Sequence, residues 1–182
     1  GSPLKIDGAE DGDVMDALQF LRDYNIRYGQ QDTEKLGKNV AVIGGGNAAI
    51  DAARTALRLG AENVTVIYRR SRDNMPAYEE EIEDAIAEGV EMELLTSPEK
   101  IVKDDGRIAG VECRRMTLGS FDKSGRRRPG PTDETVTVEA DTVIAAIGQE
   151  VNADRMITSV DVDMTEDGRL KADPVNGVTS VP

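Results

Sequence analysis

A glycine-rich segment in the first third of the chain has the spacing of a phosphate-binding turn. Gly44, Gly46 and Ala49 occupy the three fixed positions of the pattern G-x-G-x-x-G/A. In such a turn the first glycine allows a tight bend, the second lets the backbone approach a pyrophosphate, and the third small residue lets a helix pack close to a strand. Six consecutive residues are therefore predicted to bind a dinucleotide cofactor: Gly44, Gly45, Gly46, Asn47, Ala48 and Ala49.

A cluster of arginines further along the chain bears on which dinucleotide is bound. The chain reads Arg69-Arg70-Ser71-Arg72 where an NAD-specific site usually carries Asp or Glu to accept hydrogen bonds from the ribose 2′-hydroxyl. Guanidinium groups bind a 2′-phosphate through charge-assisted hydrogen bonds, whereas a carboxylate would repel it. The sequence therefore predicts NADP(H) binding by Arg69, Arg70 and Ser71. Asp73 keeps NAD(H) as an alternative, and a solvated arginine loop is the non-functional alternative.

Two short apolar runs and an alanine-rich helix must position these residues. Asn39–Ile43 and Asn63–Tyr68 are rich in β-branched residues and predict buried parallel strands. Between them, the alanine-rich stretch from Ala48 to Leu59 predicts a helix that Gly60 ends. The N-terminus of this helix would offer free N–H groups and the positive end of a helix dipole to a phosphate. Together these elements predict a βαβ dinucleotide-binding unit.

Two further helices are predicted on either side of this unit. Asp11 to Tyr24 shows apolar residues at helical spacing. A second helix would begin at Pro76, carry Glu79, Glu80 and Glu81 in its first turn and end at Gly89. Its buried face would consist of Ile82, Ala85 and Ile86. The glutamates suit a solvated helix start better than catalysis, and no residue of the chain is predicted to be a chemical catalyst.

The second half of the chain predicts more strands than helices. Val90–Leu95 would be the third parallel strand and Asp141–Gly148 the last one, with Gly148 as a cofactor-binding residue at the carboxyl edge of the sheet. Three further runs lie too close together for helical crossovers and predict an antiparallel meander. They are Glu99–Lys103, Arg107–Met116 and Glu134–Glu139. Asp104-Asp105-Gly106 would turn between the first two.

The basic stretch between the last two runs of the meander is predicted to be a loop. Leu118–Asp133 is long and polar and contains Arg126, Arg127 and Arg128, so it is expected to be mobile. Its arginines are expected to contact either a cofactor phosphate or a partner domain.

Composition excludes several classes of site. The chain of 182 residues has no histidine and only one cysteine, Cys113, which excludes His-based metal sites, His general bases, an internal disulfide and a cysteine-ligated iron–sulfur cluster. No metal site is predicted, although an acidic one stays open. The net charge of −13 should repel nucleic acid and anionic membranes, and no apolar run is long enough to span a bilayer.

Three stretches of the sequence resemble one family of flavoproteins. They are GGGNAAIDAARTALRLGAENVTVIYRRSRDNMPA from Gly44, RRMTLGSFDKSGRRRPGP from Arg114 and DTVIAAIGQ from Asp141. These stretches are similar to the NAD(P)H-binding domain of the glutamate synthase small-subunit family, which is related to part of dihydropyrimidine dehydrogenase and to thioredoxin reductase. One departure is that thioredoxin-reductase relatives carry H-R-R-x-x-x-R, whereas Tyr68 and Asn74 replace the His and the last Arg here.

The resemblance implies a fold, a reaction and partners. The expected fold is α/β: a Rossmann-like parallel sheet with an antiparallel three-stranded β-meander, as in the NAD(P)H domain of flavoproteins with two dinucleotide-binding domains. In the family, NAD(P)H passes hydride to FAD, and electrons continue to iron–sulfur centres or a partner subunit. The implied partners are an FAD domain in cis and an iron–sulfur domain or electron-transfer subunit, and the implied location is cytoplasmic. The alternative is a free-standing dinucleotide-binding or sensor module without redox activity.

The resemblance also implies how the chain is divided. Residues 1–36 would be a connector from a missing FAD domain plus a helix, residues 37–149 the NAD(P)H-binding domain, and residues 150–182 a connector that returns to the FAD domain. The chain would then be an excised part of an NAD(P)H-dependent flavoprotein oxidoreductase, inactive alone because it lacks FAD. Exposed polar ends cannot offset the entropy of ordering without a partner surface. The first ten residues and those after Gln149 are therefore expected to be loosely held in isolation, or to be ordered only by packing on another copy.

Overall fold

A computed structural model describes residues 6–10, 12–27, 36–121, 127–147, 163, 171–173 and 178–179. The chain divides into two compact units, of which the larger comprises Pro3–Ile147 and the smaller Gly148–Pro182. In the smaller unit Ala172 and Thr179 form an isolated antiparallel bridge, and the Asp173 N–H donates a hydrogen bond of 2.8 Å to the Val178 carbonyl. All helices and strands described below belong to the larger unit.

The larger unit contains a parallel and an antiparallel sheet. In chain order the elements are β1 (Val14–Asp16), α1 (Ala17–Arg27), β2 (Asn39–Ile43), α2 (Asn47–Arg58), β3 (Asn63–Tyr68), α3 (Glu79–Ala87), β4 (Glu91–Leu94), β5 (Thr96–Asp104), β6 (Arg107–Phe121), β7 (Arg127–Glu139) and β8 (Thr142–Ala145). The parallel sheet has the order β1-β8-β2-β3-β4, and the antiparallel sheet has the order β5-β6-β7. This architecture confirms the predicted α/β fold with its three-stranded meander.

Strand β2 shows why both faces of the parallel sheet are covered. Successive side chains of a strand point to opposite faces, and the two sets in β2 lie in different hydrophobic cores. Val40 and Val42 pack with the helices, while Ala41 and Ile43 pack with residues of the antiparallel sheet such as Val111. Because both sets are buried, the strand reads as a continuous apolar run, which is why its bounds could be predicted from the sequence.

Small residues bring helix α2 close to the parallel sheet. Ala49, Ala52, Ala53 and Ala56 are all fully buried on the side of the helix that faces the core. Gly60, with φ of 97°, follows the helix and ends it as predicted. The close approach of helix and sheet fixes the position of the α2 N-terminus relative to the end of β2.

Helix α3 begins later than the sequence predicts. Pro76 is not its first residue, because Tyr78 precedes the first turn and the helix starts at Glu79. The physical reason is a tertiary contact: the Ala77 N–H donates to the Gly45 carbonyl at 3.1 Å, which ties this segment to the glycine-rich turn. The predicted buried face is also too wide, since Ile86 is 42% exposed while Ile82 and Ala85 are buried.

The first predicted helix contains a strand that the sequence pattern did not reveal. Residues Val14–Asp16, inside the predicted helix Asp11–Tyr24, form β1 and pair with β8 at the edge of the parallel sheet. The helix begins only at Ala17. The Asp16 carboxylate accepts hydrogen bonds from the N–H groups of Leu18 and Gln19 at 3.1 and 3.0 Å, so it caps the helix start.

The stretch predicted as a mobile loop consists largely of strand. β6 continues to Phe121 and β7 begins at Arg127, so most of Leu118–Asp133 lies in the two arms of a hairpin, and residues 122–126 lie outside the described part. The polar and basic composition of the stretch predicted a loop, but the stretch forms strand although Pro129 and Pro131 of β7 lack an N–H group. Strand β7 lies at the edge of its sheet, where a missing donor is tolerated.

The N-terminal residues are attached to the antiparallel sheet. The Ile101 N–H donates to the Asp7 carbonyl at 2.8 Å, and the Asp7 N–H donates to the Glu99 carbonyl at 3.2 Å. Ile6 and Ala9 pack against the core of the antiparallel sheet. The expectation of a loosely held first segment is therefore wrong for residues 6–10, whereas the same expectation for the segment after Gln149 falls almost entirely outside the described residues.

Candidate functional site

The predicted phosphate-binding turn lies where the order of the parallel strands changes direction. From β2 the chain proceeds to β3 on one side, while β8 pairs with β2 on the other side. The carboxyl ends of these three strands are tied together, because the Gly44 N–H donates to the Ile67 carbonyl at 3.1 Å and the Ala146 N–H donates to the Ile43 carbonyl at 2.7 Å. Open α/β sheets bind their ligands at such a switch point.

Gly44 is required by the fold itself. Its φ of 152° is one that residues with a side chain rarely adopt. A Cβ atom added to Gly44 would lie 2.5 Å from the Ala146 carbonyl oxygen, which is closer than a real contact allows. The first glycine of the fingerprint therefore permits the tight bend from β2 toward α2 and the close packing of this bend on the residue after β8.

Gly45 is required by an aromatic ring that packs on the turn. A Cβ atom on Gly45 would lie 2.5 Å from the ring of Tyr68, the last residue of β3. The Tyr68 hydroxyl donates to the Asn74 carbonyl at 2.7 Å, so the same ring also holds the segment that follows β3. This residue of the predicted set thus has a structural reason to be glycine.

Gly46 has no comparable reason within the described protein. Its backbone is extended (φ −95°), and a Cβ atom placed on it would meet no heavy atom within 4 Å. It precedes the first turn of α2, which contains no acidic residue. Since the first N–H groups of a helix lack intrahelical partners and lie at the positive end of the helix dipole, the open space beside Gly46 suits an anion.

The other fingerprint residues hold the turn in place. Ala49 is fully buried, as close packing of α2 requires. The Asn47 side-chain oxygen accepts a hydrogen bond of 3.0 Å from the Tyr78 N–H, which joins the starts of α2 and α3. Ala48 lies in the first turn of α2 and is half-buried.

The arginines after β3 have three different environments. Arg69 is exposed, and within the described part of the chain no carboxylate forms an ion pair with it. Arg70 is only 7% exposed, and its Nε–H donates to the Arg127 carbonyl of β7 at 2.9 Å. Arg72 forms ion pairs with Glu79 and Glu83. Arg69 is therefore the member of the cluster best placed to receive an external anion.

The remaining predicted site residues are located as follows. Ser71 is half-buried, and its hydroxyl donates to the Asn74 side-chain oxygen at 3.3 Å, while Asp73 is exposed. Gly148 lies outside the described residues, which end in this region at Ile147. Sequence reasoning missed the roles of Tyr68, Asn74 and Arg127, because each acts through contacts that only the folded chain creates.

No metal or thiol chemistry is evident at this site. Within the described residues, no group of three or more Cys, Asp or Glu side chains could hold a metal ion. Cys113 is fully buried in β6. Burial, together with the nearby Glu93 carboxylate, raises the pKa of its thiol to about 12.

None of the helices in the described ranges is long and apolar enough to cross a membrane.

The Cys113 thiol is expected to be inert in the folded protein. Because its folded pKa of about 12 exceeds the unfolded value of about 8.5, its contribution to stability is present below about pH 8.5 and is lost as pH rises toward the folded value. An aromatic disulfide reagent at pH 8 should therefore modify the native chain only slowly and the guanidinium-unfolded chain at once. Rapid modification of the native protein would contradict this environment for Cys113.

Known proteins with similar sequences and structures agree with this geometry. Residues 2–182 match the family described as pyridine nucleotide-disulphide oxidoreductase. The NADP(+)-dependent formate dehydrogenase subunit beta of Moorella thermoacetica is 45% identical over 172 residues, which cover 94% of this chain and 24% of that protein. A putative glutamate synthase (NADPH) small chain of Cereibacter sphaeroides is 38% identical over 186 residues, which cover 98% of this chain and 45% of that protein.

A solved structure supports the fold. The thioredoxin reductase of T. acidophilum superposes with a TM-score of 0.68 at 20% identity, over 99% of this chain and 51% of that one. The chain thus spans about a quarter of the formate dehydrogenase subunit and less than half of the glutamate synthase small chain. The resemblance to glutamate synthase small subunits that the sequence suggested is confirmed, and the chain belongs to the pyridine nucleotide-disulphide oxidoreductase family.

Proposed function

We propose that this chain is the NADP(H)-binding domain of a flavin-dependent oxidoreductase. The observation that carries the proposal is the open space beside Gly46 at the N-terminus of α2. The fold explains glycine at positions 44 and 45, whereas the close approach of a pyrophosphate would explain glycine at position 46. The residues at this edge of the sheet therefore fit a dinucleotide.

Each part of the cofactor would be held by a different part of this edge. The backbone of Gly46, Asn47 and Ala48 would bind the pyrophosphate through N–H groups at the start of α2. The exposed Arg69, helped by Ser71, would bind the 2′-phosphate through charge-assisted hydrogen bonds. Gly148 lies outside the described residues and stays a cofactor-binding residue predicted from the sequence alone.

Arg70 would act in this site at least partly through position. Its Nε–H is committed to the Arg127 carbonyl, so the residue joins the end of β3 to the β6–β7 hairpin. Because Arg70 directly follows Arg69, this contact would fix the position of the proposed 2′-phosphate subsite. Arg70 stays in the proposed site on this ground.

The reaction would need a longer protein. When bound, NADPH would supply a hydride to the flavin of an FAD domain in cis. The two electrons would then pass singly to iron–sulfur centres or an electron-transfer subunit, and the proton would be released to solvent. The names of the two relatives include NADP(+) and NADPH, and both proteins are longer than this chain. In this proposal the residues described here bind and orient the nucleotide, the isolated chain has no turnover, and a cytoplasmic location stays a prediction.

Calorimetric titration of the 182-residue chain with NADPH and NADH at one ionic strength tests the proposal. We expect NADPH to bind more tightly by at least about tenfold, because a charge-assisted hydrogen bond to phosphate is worth roughly 1.5–3 kcal/mol. The purified chain should be colourless, and adding ferricyanide to the NADPH complex should not oxidise the nucleotide.

Three results would count against parts of this proposal. Equal affinities for NADPH and NADH would remove the NADP assignment, and stoichiometric flavin in the purified chain would contradict the separation from an FAD domain. A full-length protein that binds NADPH but contains no flavin would favour the alternative, a free-standing dinucleotide-binding or sensor module.

A further inference from the structure

The β6–β7 hairpin presents an aromatic ring and a guanidinium group to solvent. We propose that Phe121 and Arg127 form the adenosine end of the nucleotide site, where the adenine stacks against this pair and the 2′-phosphate binds the Arg127 guanidinium. This inference rests on the proposed function, because it assigns residues to one end of the same cofactor. It concerns a stretch that composition alone predicts to be a mobile loop.

The hairpin is attached to the proposed 2′-phosphate subsite by a side chain. Arg70 directly follows Arg69, and its Nε–H donates to the Arg127 carbonyl at 2.9 Å. Arg70 is 7% exposed, so this hydrogen bond is protected from water. A protected hydrogen bond from a charged donor is stronger than an exposed neutral one. Arg127 is consequently held within the reach of one arginine side chain from the end of β3.

Backbone hydrogen bonds through Leu95 also attach the hairpin to the segment after β3. The Leu95 N–H donates to the Arg70 carbonyl at 3.1 Å, and the Met116 N–H donates to the Leu95 carbonyl at 2.7 Å. Leu95 has a φ of 50°, which is uncommon for a residue other than glycine. Its two backbone hydrogen bonds run from the end of β3 to β6 and hold it in this conformation. The start of the hairpin arm is therefore fixed to the segment that carries Arg69.

Phe121 and Arg127 form a matched pair across the hairpin. They lie opposite each other in the register of β6 and β7, and the Arg127 Cζ atom lies 5.7 Å from the centroid of the Phe121 ring. Phe121 is 68% exposed, although burial of an aromatic ring is favourable. Aromatic rings and arginine planes stack on nucleobases, and the guanidinium also binds phosphate. The pair thus has both surfaces that a 2′-phosphoadenosine group requires.

The charge at this end of the molecule is opposite to that of the whole chain. The net charge is −13, yet Arg69 and Arg127 are exposed on the two segments that Arg70 joins. A local positive surface on an acidic protein attracts an anionic ligand while the rest of the surface repels other polyanions. A dianionic 2′-phosphate is the part of NADP(H) that such a surface would select.

Adjacent arginines on β7 allow a matched test. Arg127→Ala and Arg128→Ala remove the same side chain from neighbouring exposed positions, but successive side chains of a strand point to opposite faces. We expect Arg127→Ala to weaken the binding of NADPH and of adenosine 2′,5′-bisphosphate by about tenfold. NADH affinity should fall by a smaller factor, no more than about threefold, because NADH lacks the 2′-phosphate and loses only the guanidinium part of the stacking surface. Arg128→Ala should change none of the three affinities by more than about twofold.

Phe121→Leu tests the stacking half of the proposal. Leucine keeps an apolar side chain but removes the ring, so NADPH and NADH should both bind several-fold more weakly while circular dichroism and thermal melting stay unchanged. Unmodified chain that binds neither NADPH nor NADH would overturn the proposed function and this inference with it. If the unmodified chain prefers NADPH but Arg127→Ala and Arg128→Ala bind NADPH with equal affinity, only the inference is overturned. The Phe121–Arg127 pair would then be left with a role in protein docking.

Discussion

Gly46→Ala is expected to remove most of the affinity for NADPH and to leave the fold intact. A methyl group at this position meets no protein atom within 4 Å, and the φ of −95° is open to any residue. Alanine is a poorer residue than glycine before a helix, but the difference is no more than about 1 kcal/mol. The methyl group would instead occupy the space where the pyrophosphate approaches the backbone, so the affinity should fall by at least about tenfold.

Gly44→Ala is the matched variant with the opposite outcome. Its methyl group would lie 2.5 Å from the Ala146 carbonyl oxygen, and its φ of 152° disfavours any side chain. Backbone strain and overpacking together cost on the order of 3 kcal/mol, which corresponds to a fall of roughly 6–12 °C in Tm for a chain of this size. Thermal melting and NADPH titration of both variants separate the two effects. Normal NADPH binding by Gly46→Ala would contradict the assignment of this turn to phosphate.

The parts of the fold that were predictable are those in which local and tertiary preferences agree. Both Asn39–Ile43 and Asn63–Tyr68 are largely buried on two faces, so their sequences are mostly apolar and rich in β-branched residues, and their bounds could be read directly. The turn at Asp105 and Gly106 was predictable because both residues adopt positive φ values, 47° and 77°, that suit Asp and Gly. In these segments no distant contact changes what the local sequence favours.

The errors arise where a distant contact decides the structure. Val14–Asp16 has apolar residues at a spacing that also suits a helix, and pairing with β8 decides in favour of a strand. The polar and basic composition of Leu118–Asp133 predicted a loop, but pairing between β6 and β7 makes most of it strand, and the edge strand β7 tolerates its prolines. Composition records the local preference of such a segment and not the partner that overrides it.

The same limit applies to the candidate site. The glycine pattern locates the turn and assigns Gly46 to the phosphate, but it leaves Gly45 at a variable position, and only the fold shows that the Tyr68 ring requires a glycine there. Likewise, Arg69 and Arg70 are chemically identical in the sequence, and only the hydrogen bond to the Arg127 carbonyl separates their environments. The sequence therefore predicts which chemistry is present, whereas the folded chain determines which side chains are available to a ligand.

Arg69→Glu is expected to reverse the preference between the two nicotinamide dinucleotides. The substitution removes an exposed cation, which within the described ranges forms no ion pair, and places a carboxylate at the end of β3, where NAD-specific sites carry one. Loss of a charge-assisted hydrogen bond and repulsion of the 2′-phosphate should together weaken NADPH binding by about a hundredfold. NADH affinity should stay constant or rise, because a carboxylate accepts hydrogen bonds from a ribose 2′-hydroxyl.

Arg107→Glu is the control for this change. Arg107 is also exposed, and its substitution by Glu gives the same change in net charge. It lies at the opposite end of β6 from Phe121. If the overall electrostatic field of the protein set the preference for NADPH, both variants would weaken NADPH binding equally. High salt would then abolish the difference between the NADPH and NADH affinities. If Arg69 binds the 2′-phosphate directly, only Arg69→Glu changes the ratio of the NADPH and NADH affinities. An unchanged ratio in Arg69→Glu would exclude this residue from the phosphate subsite and leave specificity to Arg70 and the hairpin.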